Sequence, residues 1–224
     1  MVSAVRGGAG RAVAVNGQSK VQSPESKVGD DAGRCSIRLF VAVRLPEVVL
    51  GELSRVQAEL KQCLPPKSAA WTKIANLHLT LRFLGNVESG RVGALRSALR
   101  ESLRNFGGLD LVCERLGCFP DVRFPRVVWA WVHDNAERLA RLHRAVTTAS
   151  EPFAEKPAEK NFTGHVTLAR PKQIKRHDAG QLAQFVESAV GRKFGAWRCS
   201  EVELIQSQLS PSGSQYSTIE VFPL

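Results

Sequence analysis

The stretch NLHLTLRFLG, residues 76–85, decides how this chain is read. Leu77, Leu79, Leu81 and Phe83 alternate with His78, Thr80 and Arg82. Such alternation marks a half-buried β-strand, whose successive side chains point to opposite faces. One face of this strand is apolar. The other carries an imidazole, a hydroxyl and a guanidinium in a row, a combination that a merely solvated sheet surface does not need.

The motif occurs twice. HVTLAR at 165–170 repeats HLTLRF at 78–83, each opening His-apolar-Thr-Leu. Each copy sets a His and a Thr on one strand face. A single His-x-Thr is most often chance or packing. Two copies placed alike in a repeated pattern are much harder to obtain by accident.

That pattern extends outward from both motifs. Residues 36–46 read as a strand, and 46–63 have helical spacing through Val49, Leu50, Leu53, Val56 and Leu60. CLPPKSAAW, 63–71, reads as a loop. Gly85 is expected to stop the motif strand, and Asn86 to cap a helix at 87–105. Strands follow at 109–119 and 126–134, then a helix at 135–150 and a loop at 151–164. The second motif strand, a helix near 178–190, and a closing strand and hairpin complete the chain. One order of elements appears twice. It predicts an α+β protein of two similar lobes, each an antiparallel sheet with helices on one face, related by a pseudo-twofold axis around a central cleft. Facing lobes would bring both His-x-Thr faces into that cleft.

Composition sets the bounds. The 224 residues are 43% hydrophobic, enough for a sizeable core, and carry a formal net charge of +10. A basic balance favours anionic partners such as phosphates or nucleic acid. Residues 1–34 contain no aromatic residue and are rich in Gly, Ser, Ala and Val, so they read as a disordered tail before a single domain at 35–224. A transit peptide is the alternative for that tail. The tail holds five basic and three acidic residues, which leaves +8 on the rest. Five cysteines without a Cys-x-x-Cys pair indicate neither a disulfide framework nor a zinc ribbon, and a reducing, cytoplasmic compartment is expected. No run of eighteen apolar residues suggests a membrane span.

Paired histidines suit phosphodiester cleavage. One group must take a proton from the nucleophile and another must give one to the leaving oxygen. Imidazole titrates at roughly 6.5, so two can share those roles. A Thr hydroxyl two residues on can donate to a nonbridging phosphate oxygen. One His per strand is a poor metal spacing, so no metal and no cofactor are expected.

HLTL and HVTL resemble the two signatures of the two-histidine phosphoesterase superfamily. RLFVAVRLP, WTKIANLHLTLRFLG, FPRVVWAWV and SQLSPSGSQYSTIEVFPL are similar to its RNA 2′,3′-cyclic phosphodiesterase branch, also called 2′-5′ RNA ligase-like. The resemblance spans about residues 36–224. It implies that His78 is the proton donor and His165 the proton acceptor, that Thr80 and Thr167 hold the phosphate, and that Arg170 binds it too. It also implies hydrolysis of RNA 2′,3′-cyclic phosphate ends, or of cyclic nucleotides, to 2′-phosphomonoesters by a monomer that needs no membrane. The alternatives are 2′-5′ joining of RNA ends by the reverse reaction and a non-catalytic RNA-binding module.

Two arginines test the strand reading. Arg170 lies five residues after His165, so strict alternation sends it to the wrong face, although planar bidentate donors suit phosphate. Arg82 has the right parity for the cleft but matches no signature. His133, His143 and His177 are expected to pack or to lie at the surface. Trp71, Trp129, Trp131, Phe119 and Tyr216 are expected to pack in the core by default, with Trp71 the best candidate for stacking a base at the rim.

Overall fold

The computed structural model describes residues 35–159, 161–172, 174–211 and 213–224. The expected tail at 1–34 lies outside the described residues. In chain order the elements are β1 (Ser36–Arg44), α1 (Glu47–Cys63), β2 (Ala69–Trp71), β3 (His78–Glu88), α2 (Val92–Leu103), β4 (Leu109–Phe119), β5 (Val127–His133), α3 (Arg138–Ser150), β6 (His165–Pro171), α4 (Arg176–Ser188), β7 (Lys193–Cys199), β8 (Glu201–Ser210) and β9 (Gly213–Pro223). Among the described residues nine strands join one antiparallel sheet in the order β7-β4-β5-β6-β3-β1-β8-β9, with β2 added on β6.

This α+β sheet carries two four-stranded lobes that meet at β3 and β6. The lobes are not successive halves of the chain. The last two strands return to β1, and the helices cross over. α1 packs on β7 and α4, whereas α3 packs on α2 and β3. Each lobe's helix layer therefore borrows from the other half of the sequence, a long-range exchange that ties the two lobes into one core.

Helices cover one face of the sheet. Leu39, Val41 and Val43 of β1, Leu79 and Leu81 of β3, and Val166 and Leu168 of β6 point into that layer and are at most 2% exposed. They meet Leu53, Val56 and Leu60 of α1, Leu95 and Leu99 of α2, and Leu142 and Val146 of α3. Each fully buried Leu or Val side chain contributes roughly 1.5–3 kcal/mol. Phe40, Ala42 and Ile205 form a separate small cluster on the opposite, concave face, with Tyr216 packed against it.

Several expectations change in detail. Residues 69–71 form β2 because β6 offers an unpaired edge there, where β3 has already turned away. Gly85 does not end β3. It sits at an irregularity where Leu39 pairs Gly85 and Phe40 pairs Phe83, with φ of 76°. A Cβ at Gly85 would lie 2.2 Å from Glu155 Oε2, so only glycine admits the 151–156 segment this close. Asn86 consequently lies inside β3. Its backbone N–H donates to the Glu155 carboxylate, and it caps no helix.

Candidate active site

β3 and β6 pair at one couple, Leu79 with Val166. Antiparallel neighbours run in opposite directions, so this couple sets His78 opposite Thr167 and Thr80 opposite His165. All four side chains point away from the helices, since Leu79 and Val166 are fully buried on the helix side. Directly opposed side chains in such a ladder lie about 4.5–5.5 Å apart and diagonal ones about 7–8 Å. The two imidazoles are diagonal, with room between them for one phosphate. Beyond this couple the strands part, and a cavity of about 270 Å³ opens that His78, Thr80, Thr167 and Arg170 all line. His165 stands on the same face of β6 as Thr167, at the first residue of the strand.

Both rings are held in the same way. His78 Nδ1 lies 2.7 Å from the Asn76 carbonyl and His165 Nδ1 lies 2.8 Å from the Thr163 carbonyl, two residues before each His. A carbonyl only accepts, so each Nδ1 carries the proton and each Nε2 is left for chemistry. Aromatic walls complete the symmetry. Phe40 and Tyr216 flank His78 with ring centroids at 4.8 and 5.4 Å. Phe119 and Trp129 flank His165 at 5.1 and 6.2 Å.

Burial lowers both imidazoles below their ordinary value of 6.5, because a charged ring loses hydration. Each backbone carbonyl opposes this in part. The neighbours differ: Arg44 and His165 lower His78 further, whereas Glu159 raises His165 and Arg170 lowers it. In the free site both rings are therefore weakly basic, and an incoming anion supplies the missing stabilisation of an imidazolium.

The two arginines exchange places relative to the alternation. On β3, Val41 pairs Arg82 and Ala42 pairs Thr80, so Leu81 is an extra residue and a bulge. The bulge turns Arg82 to the helix side. There it is 6% exposed and donates to Glu151 at 3.0 Å and to the Lys156 carbonyl at 2.7 Å. Phe83 takes its place on the cleft side, lining the cavity at 46% exposure with the Arg38 guanidinium 4.7 Å from its centroid. β6 has the same device. Val128 pairs Ala169 and Trp129 pairs Thr167, so Leu168 is the extra residue and Arg170 swings into the cleft. The bulged backbone is held by the buried Gln57 of α1, whose amide donates to the Leu168 and Thr72 carbonyls at 2.8 and 2.9 Å. Position five after each His thus carries Phe83 in one lobe and Arg170 in the other.

The remaining candidates divide. Trp71 packs against the helix-side core with Lys61 over its ring, 5.4 Å from the centroid, and does not line the cavity. His133 stacks on Trp131 at 3.9 Å and contacts Glu114 at 3.2 Å, and His143 stacks on Phe162 at 4.0 Å. Both are packing groups. His177 sits in the first turn of α4. Arg38, Phe40 and Asn76 line the cavity without any signal that singled them out. Asn76 also ties the site to the β8–β9 hairpin, donating to the Ser214 carbonyl at 2.9 Å. Among the described residues no group of three His, Cys, Asp or Glu gathers at metal-binding geometry, and no helix is long and apolar enough to cross a membrane.

Comparison with known proteins places this geometry. A family model described as LigT like Phosphoesterase matches residues 43–129 and 131–216. The RNA 2′,3′-cyclic phosphodiesterase of Methanothermobacter thermautotrophicus is 32% identical over 188 residues, 84% of this chain and 99% of that protein. The protein of the same name from Aquifex aeolicus is 29% identical over 189 residues, 84% of this chain and 97% of the relative. A crystal structure of a Thermus thermophilus protein superposes with a TM-score of 0.69 at 28% identity, covering 84% of this chain and 98% of that one. Escherichia coli LigT without ligand shares the fold at a TM-score of 0.65 and 21% identity, covering 84% and 98%.

Proposed function

The chain belongs to the LigT-like phosphoesterase family, and from that premise we propose that residues 35–224 form a domain that hydrolyses RNA 2′,3′-cyclic phosphate ends to 2′-phosphomonoesters, with two imidazoles as acid and base. The observation that carries this reading is the Leu79–Val166 couple, which sets each His opposite the other motif's Thr. Binding alone would need cations. A pair of imidazoles with fixed Nδ1–H tautomers suits proton transfer in both directions.

In the proposed reaction His165 Nε2 takes a proton from water, and the oxygen attacks phosphorus opposite the 3′ oxygen. The P–O3′ bond breaks, and the proton on His78 Nε2 passes to that oxygen. The phosphate stays on O2′. Thr80 and Thr167 hydroxyls and the Arg170 guanidinium donate to the nonbridging oxygens, whose charge grows in the transition state. The exposed ring of Phe83 offers a surface for a nucleobase. No step is assigned to a metal.

A second reading exchanges the two imidazoles. Burial lowers both rings, and of the charges beside them Arg44 lowers His78 further while Glu159 raises His165 against Arg170, which lowers it. The test is incubation of the purified protein in EDTA with an RNA ending in a 2′,3′-cyclic phosphate, followed by identification of the product isomer. The proposal expects the 2′-phosphate. A 3′-phosphate requires exchanged roles or an inverted substrate, and loss of turnover in EDTA restored by a divalent ion overturns the metal-free scheme.

A further inference from the structure

A second concave surface lies on the β4–β6 lobe, away from the two histidines. It has a volume of about 930 Å³ and runs between the β4–β5 loop and α4. Val122 and Ile174, both packed against the core, give it an apolar lining. Arg126, Lys172 and Arg176 supply positive charge, Arg123 pairs with Asp121 at 3.6 Å, and Phe124 is 73% exposed beside them. No carboxylate lines it among the described residues. The two nearest acids in sequence are already engaged. Asp121 accepts the backbone N–H groups of Arg123 and Phe124 at 2.7 and 3.2 Å, and Asp178 accepts that of Lys175 at 3.3 Å. Arg126, Lys172 and Arg176 make no ion pair among the described residues.

The exposed Gly180 also lines this groove. Gly180 lies inside α4, where glycine costs roughly 1 kcal/mol relative to alanine. A Cβ there would meet no atom within 4 Å, so packing does not demand the glycine. A side chain at this position would instead project into open space at the groove that Gly180 lines.

Two short stretches of chain run from the candidate active site to this groove. Lys172 is two residues beyond Arg170 on the same stretch, about 7 Å of extended chain. Phe119, which flanks His165, opens the loop that carries Arg123 and Arg126. We propose that this groove binds the single-stranded RNA body that precedes the cyclic phosphate end. Arg126, Lys172 and Arg176 would pair its phosphates and Phe124 would stack a base, the combination that recognises single strands without reading sequence. This extends the phosphodiesterase reading and rests on it for the placement of the RNA end.

The test compares the wild-type chain with R126A/K172A/R176A and with F124A. Binding of a fluorescent RNA of about 12 nucleotides, within the usual span of single-strand sites, is followed by anisotropy across salt concentrations. Single-strand binding loses about 0.7 in log–log salt slope per phosphate contact. The triple variant should therefore lose about 2 from that slope and bind at least about tenfold more weakly at low salt. F124A should weaken binding and leave the slope unchanged. Turnover of that RNA should fall through KM, while turnover of a cyclic mononucleotide, too short to reach the groove, stays at the wild-type level. An unchanged slope, or equal loss on both substrates, overturns the proposal. Wild-type inactivity on both substrates defeats the phosphodiesterase reading instead, and the salt slope then decides the groove alone.

Discussion

Arg82 and Arg170 look interchangeable beside their motifs, and the bulges at Leu81 and Leu168 turn them to opposite faces of the sheet. Arg170→Ala removes a guanidinium that faces the cleft and, among the described residues, has no carboxylate partner. A hydrogen bond to a charged group is worth about 1.5–3 kcal/mol. Arg170 is exposed, so solvent screening favours the lower end of that range. At about 1.4 kcal/mol per factor of ten, kcat/KM for cyclic phosphate hydrolysis should fall about tenfold with little change in melting temperature. Arg170→Lys should recover only part, because a point charge does not replace a planar fork. Arg82→Ala should do the reverse. It empties a buried site, leaves the Lys156 carbonyl without its donor, and frees Glu151, which is 47% exposed and rehydrates readily. A loss of about 1–3 kcal/mol is expected, or about 2–12 °C in a chain of this size, with kcat/KM changed less than about threefold where the protein is folded. Melting curves and initial rates on the two variants decide the matter. A catalytic defect in Arg82→Ala at unchanged stability, with Arg170→Ala near wild type, would refute the bulge argument.

Three further outcomes follow from the site. Both imidazoles lie below 6.5 in the free protein, so the bell of kcat/KM should peak below that pH, and the bell of kcat should move to higher pH because the bound anion stabilises an imidazolium. A kcat/KM optimum above about pH 7 would contradict this. His78, His143 and His165 are all depressed by burial, so the unfolded chain binds more protons and stability falls as pH drops below 6.5. The melting temperature should be lower at about pH 5.5 than at about 7.5, and a flat or opposite trend would sink the assignment. Gln57→Leu removes one buried and one part-buried hydrogen bond, so it should destabilise by about 1–3 kcal/mol, and by loosening the Leu168 bulge it should lower kcat/KM in the folded fraction. Full activity in a destabilised Gln57→Leu would detach Gln57 from the site.

Much of this arrangement was legible because it rests on local periodicity. His78 with Thr80 and His165 with Thr167 lie within three residues of each other, before any bulge, and alternation alone puts each pair on one face. The parity of Arg82 and Arg170 was not legible, because a bulge adds one residue without an apolar or glycine signature. Leu81 and Leu168 look like ordinary strand leucines. The sharing of helices between lobes was hidden for another reason. α1 and α3 show which faces are apolar, but the surface that covers them is set by the whole topology. Phe40 and Asn76 entered the site through pairings with β3 and with the β8–β9 hairpin, which local sequence does not encode.

The central claim is that His78 and His165 act as one acid–base pair. It is tested most directly by single-turnover hydrolysis of a cyclic-phosphate RNA, in EDTA, by His78→Ala, His165→Ala and the double variant, each checked for folding. The account predicts a loss of about a hundredfold to ten-thousandfold in each single variant, and a double-variant loss well short of their product. Near wild-type turnover in either single variant, or losses that multiply, would contradict it.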